Sequence, residues 1–133
     1  MNDDTKPACD YILHDDGIHE FIVRESSTEA ADAYLAGLGR IYQLRSDTRE
    51  PIRVLLDSGG HTLPLQYTFQ RGRELSTKYP NMGTTKTATL TDSAVEARLV
   101  DSFMHLMRFP GVRIRFFSED RRDEAIAWLL GDD

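Results

Sequence analysis

Cysteine is nearly absent from the chain, since Cys9 is the single example among 133 residues. One thiol excludes an internal disulfide framework and a zinc site built from cysteines. No apolar stretch approaches the roughly 20 residues that span a bilayer, so we expect no transmembrane segment. The first ten residues are acidic and polar, whereas a secretory leader starts basic and then turns apolar. We therefore expect a cytoplasmic protein in a reducing setting.

Basic residues are also scarce, with 16 Lys and Arg against 22 Asp and Glu and a net charge of −6. Nucleic-acid binding needs clustered basic side chains, so we do not expect nucleic acid as a partner. A chain of this length fits one domain and buries roughly two thirds of its unfolded surface. Because residues 1–8 are polar and lack periodicity, the sequence predicts a disordered tail there and one domain over residues 9–133.

The first two strands are predicted as a hairpin. An Asp-Gly pair at 16–17 lies between two β-rich runs, which is a strong signal for a two-residue hairpin loop. With that loop, Ile12 faces Phe21, and His14 faces His19. The pairing gives one side of the hairpin an apolar stripe.

Four helices follow from caps and periodicity. Ser26 with Glu29, and Ser93 with Glu96, are capping-box patterns that predict the starts of the first and third helices. Pro64 suits the first turn of a second helix that begins at about residue 63. On the third helix, residues at helical spacing are expected to face the core: Val95, Leu99, Phe103, Leu106 and Met107.

Together these elements predict the order ββαβαβαβα. A hairpin followed by strand–helix units implies a single α/β domain whose mixed sheet is parallel after the first strand, with packed helices. Residues 52–56 (IRVLL) are mostly apolar, as is typical of a buried central strand. An exposed edge strand in so small a domain makes a homodimer plausible.

Three features resemble a known family: the Asp-Gly hairpin, the strand IRVLLDSGG before a helix, and the ending VRIRFFSEDRRDEAIAWLL. The pattern looks like the SpoIIAA-like, or STAS-like, bacterial domains, which share an architecture with CRAL-TRIO lipid-transfer domains. The resemblance spans residues 10–131 and implies a non-enzymatic binding or regulatory module. In the anti-sigma-factor antagonists of that family, a serine within Asp-Ser-Ser-Gly at a helix start is phosphorylated. This chain has no such pattern there, and Ser58 and Thr62 are the residues that could substitute.

The loop that follows the central strand is the best candidate site. Ligands of open α/β sheets bind beyond the carboxyl ends of strands, close to helix N-termini. We therefore expect this loop and the next helix to meet a protein partner, through residues near the strand end: Asp57, Ser58, Gly59, Gly60, His61, Thr62 and Gln66. The alternative is an ordinary strand–helix turn, in which glycines supply positive φ and Ser or Thr caps the helix.

Two further readings compete with a protein-binding loop. Helices two and three are rich in large side chains, which could line a pocket for a small apolar or lipid-like ligand between helices and sheet. These side chains are Tyr67, Phe69, Tyr79, Phe103, Met104 and Met107. The same side chains could form a dimer surface or simply the core.

Catalytic and metal-binding patterns are missing. His14 and His19 beside Asp15 and Asp16 have no third metal ligand at a convincing spacing, so we expect two partly exposed histidines and no metal. No nucleophile elbow, phosphate loop or zinc-protease motif occurs. We therefore expect no cofactor and no enzymatic activity, and a hydrolase is the weakest alternative.

Overall fold

The computed structural model describes residues 7–45, 50–79, 84–107 and 111–131, except for the side chains of residues 103, 106 and 107. The strands are β1 (Cys9–Leu13), β2 (His19–Val23), β3 (Ile52–Asp57), β4 (Thr85–Leu90) and β5 (Val112–Phe117). The helices are α1 (Thr28–Leu44), α2 (Leu65–Lys78), α3 (Ala94–Met107) and α4 (Arg122–Leu130). The predicted α/β class is confirmed, with a mixed sheet of five strands and four helices in the described ranges.

The strands lie in the sheet in the same order as in the chain. β1 is antiparallel to β2, and all other neighbours are parallel. Each crossover between parallel strands moves one strand further in the same direction. Right-handed crossovers therefore place α1, α2 and α3 on one face of the sheet. α4 packs on the opposite face, against β3, β4 and β5.

The predicted hairpin register is wrong by one residue. Tyr11, and not Ile12, lies opposite Phe21. Gly17 has a φ of +88° and ends a three-residue loop over 15–17. A type I turn followed by a left-handed glycine is the common form of such a loop, and it shifts the pairing by one position. Because side chains alternate across a strand, the shift moves Ile12 off the predicted apolar stripe.

Two apolar cores lie on the two faces of the sheet. The larger one joins α1 to the sheet, and its members include Phe21, Val23, Tyr34, Leu38, Ile41 and Val54. The smaller one joins α4 to the sheet, and its members include Ile18, Leu55, Ala88, Leu90, Ala125 and Leu129. On α1 the apolar residues at helical spacing face this core, since Ala30, Tyr34, Leu38 and Ile41 are all buried.

α4 is held at its N-terminal end by a buried carboxylate. Glu20 on β2 is 2% exposed. Arg122 donates to both oxygens of this carboxylate, at 2.9 and 2.5 Å, and His14 Nε2 lies 2.7 Å from Oε1. Burial alone would raise the pKa of Glu20, but the hydrogen bonds from Arg122 and His14 outweigh it and leave the pKa below its ordinary value.

Two cations meet the C-terminal end of α4. The Lys86 ammonium donates to Trp128 O at 2.7 Å, and Arg53 Nε donates to Leu129 O at 2.8 Å. The last carbonyls of a helix lack intrahelical partners and carry partial negative charge. Both ends of α4 are therefore tied to the sheet by charged side chains.

The predicted capping boxes are corrected at both helices. At α1 the N-cap is Ser27, whose side chain accepts from Ala30 N, and not Ser26. The Ser26 hydroxyl accepts instead from Thr62 N, at 2.9 Å. At α3 half of the box forms, because the Ser93 hydroxyl accepts from the backbone N–H of residue 96, at 3.0 Å.

The predicted inward face of α3 is also wrong. Val95 and Leu99 are exposed, whereas Glu96 and Val100 are buried. The side chains of residues 103, 106 and 107, which completed the predicted face, lie outside the described residues. The helix is thus rotated by about one residue, near 100°, from the orientation that its apolar spacing suggested.

Candidate functional site

A cavity of about 140 Å³ lies between the sheet and helices α1, α2 and α3. The helices line it mainly with apolar side chains, among them Tyr34, Leu38, Phe69, Leu75, Val100 and Met104. The sheet side is formed by side chains of β3, β4 and β5, among them Leu56, Thr85, Thr87, Thr89, Ile114 and Phe116. The cavity lies on the face opposite α4.

Threonines of β4 make the room for this cavity. Thr85, Thr87 and Thr89 point to it, and each is smaller than the Leu, Ile or Phe that a tightly packed central strand would place there. Two tyrosines of α1 cover part of the threonine row. The Tyr42 hydroxyl is 3.2 Å from Thr85 Oγ1, and Tyr34 hydrogen-bonds Thr87. Two of the three hydroxyl groups in the row therefore have a tyrosine as hydrogen-bond partner.

Burial raises the pKa of the Tyr34 and Tyr42 phenols. Both side chains are therefore neutral hydrogen-bonding groups at neutral pH. Neither phenol supplies a charge to the cavity.

Besides the threonine row and its two tyrosines, three polar side chains of the lining lie near the carboxyl ends of the strands: Ser58, His61 and Glu96. Thr68 and Ser76 line the cavity from α2. The Ser58 hydroxyl donates to Leu90 O at 2.7 Å, which ties the end of β3 to the end of β4. Glu96, in the first turn of α3, is 7% exposed, and no group in the described part of the chain bonds its Oε1.

The candidate loop over residues 57–62 is mainly a turn whose backbone conformation favours glycine at two positions. Asp57 Oδ1 accepts from Gly59 N at 3.0 Å. Gly59 has a φ of +58° and Gly60 a φ of +81°. A Cβ on Gly59 would also lie 2.9 Å from Val23 O. The ordinary-turn alternative therefore accounts for both glycines.

The structure brings two of the seven predicted site residues to the cavity, Ser58 and His61. Asp57 and the exposed residues Gly59, Gly60, Thr62 and Gln66 lie outside its described lining. The loop is therefore a rim of the cavity at the end of β3.

The two predicted phosphorylation sites differ in accessibility. Ser58 is 5% exposed and its hydroxyl is engaged with a carbonyl. A kinase would reach it only after the loop had opened, so the structure does not favour Ser58 in that role. Thr62 is exposed, and its backbone N–H donates to Ser26.

The two hairpin histidines do not face each other as predicted. Leu13 pairs with His19, and alternation puts His14 on the α4 face with Glu20. His19 is buried, not partly exposed, and its Nδ1 lies 2.7 Å from the Tyr11 hydroxyl. Burial lowers the pKa of His19. No cluster of three or more metal-ligating side chains occurs among the described residues.

The aromatic and methionine residues expected to line a pocket divide into three groups. Phe69 and Met104 line the cavity. Tyr67 instead hydrogen-bonds Asp32, and Tyr79 packs edge-on against Tyr42. Residues 103 and 107 have side chains outside the described set.

Sequence reasoning missed three contributors to the cavity: the threonine row, Tyr34 as its cover, and Glu96. Tyr34 lies at helical spacing among the apolar residues of α1, and Glu96 lay in a predicted capping box. The sequence carries a signal for the threonines alone, because alternation places residues 85, 87 and 89 on one face of β4.

Comparison with protein-family models, with curated protein sequences and with solved structures finds no match. A search of the described helices for a membrane-spanning candidate, long enough and apolar enough, finds none.

Proposed function

We propose that the protein binds a compact, mostly apolar small molecule in the cavity, and that it is a binding module and not an enzyme. The observation that carries this proposal is the cavity itself, which has a mainly apolar lining and a small number of polar side chains, among them Ser58, His61 and Glu96. Ligand sites typically combine these two features. A STAS-like assignment belongs to the same proposal, and the order ββαβαβαβα supports it.

The size of the cavity limits the ligand. An engineered apolar cavity of about 150 Å³ holds benzene, and the present cavity of about 140 Å³ is comparable. A single ring or a short branched chain therefore fits. A long acyl chain does not fit within that volume, so the geometry favours a compact ligand over a lipid.

A ligand-binding cavity explains more features of the structure than a protein-binding loop does. The glycines of the loop are explained by turn geometry, and Ser58 is turned inward. A protein partner or a second copy of the chain stays a prediction. The exposed apolar residues of the outer strand β1, Tyr11, Ile12 and Leu13, are where a second copy would be sought.

A matched pair of α3 variants tests the proposal. Val100→Phe fills the cavity, because Val100 lines it and is 8% exposed. Val95→Phe adds the same ring to the same helix at a position that is 66% exposed. With toluene as the probe and ligand-observed NMR as the readout, we expect saturable binding to the unchanged protein and to Val95→Phe, and none to Val100→Phe.

Circular dichroism establishes that each variant is folded before its binding is compared. If Val100→Phe does not fold, Ile114→Phe on β5 fills the cavity from the sheet side. Toluene binding that is equal in a folded cavity-filled variant and in the unchanged protein would refute the proposed site. Absence of binding to the unchanged protein would refute it as well.

A further inference from the structure

We infer that the cavity selects compact apolar amines, whose protonated nitrogen pairs with the Glu96 carboxylate. The inference rests on the proposed function, because it names the chemistry of a ligand in the same cavity. It comes from a buried carboxylate oxygen of a lining residue, Glu96 Oε1, to which no group in the described part of the chain bonds.

Glu96 is unusual among the carboxylates in the described part of the chain. Its side chain lines the cavity, it is 7% exposed, and within the described ranges its Oε1 accepts no hydrogen bond. Native proteins almost always pair buried polar atoms, so a buried carboxylate oxygen without a partner needs an explanation. A ligand that donates a hydrogen bond to this oxygen supplies one.

The local sequence frees Glu96 for this role. In a complete capping box, its carboxylate would return to the backbone N–H of Ser93. Here that N–H donates to Thr91 Oγ1 at 3.1 Å. The Ser93 hydroxyl still caps the helix through the backbone of residue 96, so α3 keeps its start without the carboxylate.

Charge identifies the donor as a cation. The described lining of the cavity contains no Lys or Arg, and His61 is its single basic side chain. The first turn of a helix favours a negative charge, and Glu96 lies in that turn of α3. A ligand that brings a positive charge supplies the counter-charge that the described lining does not provide for this acidic side chain.

The other lining residues determine the size and the apolar character of the rest of the ligand. Phe69, Val100 and Met104 present apolar surface, and the volume admits about one ring. The ligand class is therefore an amine on a small aromatic or branched aliphatic body. A carboxylate ligand would meet Glu96 with like charge, and a hydrocarbon would leave Oε1 unpaired.

Three probes with nearly the same shape test the inference: toluene, benzyl alcohol and benzylamine. Their dissociation constants are measured at pH 7 by ligand-observed NMR on the unchanged protein, on Glu96→Gln and on Glu29→Gln. Glu29 is the matched control, because it is also an acidic residue in the first turn of a helix but is exposed. Both substitutions change the net charge by the same amount.

We expect the unchanged protein and Glu29→Gln to bind benzylamine at least about tenfold more tightly than benzyl alcohol or toluene. In Glu96→Gln this preference should fall below about threefold, while toluene binding persists or strengthens. A preference that survives in Glu96→Gln would overturn the inference. If Glu96→Gln does not fold, the ranking of the three probes on the unchanged protein decides the matter.

Two failures give different results. If toluene binds and Val100→Phe blocks it, but benzylamine has no advantage, the proposed function holds and the inference fails. If none of the three probes binds the unchanged protein, the proposed function fails and the inference fails with it.

Discussion

Replacing Arg122 by Met should destabilise the protein by about 3 kcal/mol at pH 7 and by much less at pH 5. The substitution keeps most of the aliphatic stem and removes the guanidinium that bonds both oxygens of Glu20. Among the described residues, Glu20, which is 2% exposed, then keeps the hydrogen bond between its carboxylate and His14. An uncompensated buried charge is among the most destabilising changes in a protein core.

The size of this destabilisation is limited, because the unpaired Glu20 carboxylate can take up a proton. The ordinary pKa of the glutamate is 4.5. Protonation of a carboxyl group costs about 1.4 kcal/mol for each pH unit above its pKa, so the penalty is limited to about 3 kcal/mol at pH 7. At pH 5 the same limit lies below about 1 kcal/mol.

The sign of the pH dependence follows in the same way. In the unchanged protein the pKa of Glu20 is lowered, so its stabilisation is present above pH 4.5 and is lost as the pH falls through the lower folded value. In Arg122→Met the burial of Glu20 acts against fewer hydrogen bonds and raises its pKa. The variant therefore loses stability as the pH rises above 4.5, and the difference between the two proteins grows from pH 5 to pH 7.

Urea unfolding at both pH values measures this difference. At pH 7 the midpoint should fall by about 1 M or more with an unchanged slope. Arg121→Met is the matched control, because Arg121 is exposed and also lies at the start of α4. Both changes remove a cation from the positive end of a helix, so the helix-dipole contribution cancels in the comparison. Equal effects of the two substitutions, or an Arg122→Met effect that does not change with pH, would refute the reasoning.

Two other predictions concern the core around α1. Gly37→Ala should destabilise the protein by about 1–2 kcal/mol in urea unfolding, because the new Cβ would lie 2.4 Å from Phe21 Cε1. This cost should exceed the gain from the better helix propensity of alanine. At Gly72 the nearest atom would lie 4.0 Å from the new Cβ, so Gly72→Ala should instead stabilise the protein by up to about 1 kcal/mol. The pKa of Cys9 is raised to about 11, first by burial and then by Asp10, so the thiol stays protonated up to pH 10. Iodoacetamide at pH 8 should therefore label the unfolded protein much faster than the native one, and equal rates would contradict the burial of Cys9.

The order of strands and helices could be predicted because its signals are local. Alternation, helical spacing and prolines each act within one segment, and the resulting order ββαβαβαβα agrees with the structure. The hairpin register could not be predicted in the same way. The sequence Asp15-Asp16-Gly17 is compatible with a two-residue loop and with a three-residue loop. The structure has the three-residue loop, in which Gly17 adopts a positive φ.

The candidate site was predicted less well, because its two glycines have a local explanation. A loop with consecutive glycines at the end of a strand has the pattern of a ligand site and of a tight turn. The contact that distinguishes them is that of Gly59, in the loop after β3, with Val23 O, at the end of β2 and far away in the chain. Only Ser58 and His61 of the predicted set reach the cavity, and both do so from the rim.

The volume of the cavity is the space between the backbones minus the volume of the side chains that fill it. The sequence gives only the side-chain volume. Side-chain sizes can be read from the chain, but the space that the backbone leaves between α2, α3 and the sheet cannot. The lack of a described partner for Glu96 Oε1 could not be predicted from the sequence either. Its capping-box pattern with Ser93 is present in full, yet Thr91, two residues before the box, takes the backbone N–H that the carboxylate would have bonded. The decisive contact lies outside the pattern, so the pattern alone could not distinguish a carboxylate that caps a helix from a buried carboxylate in the lining of a cavity.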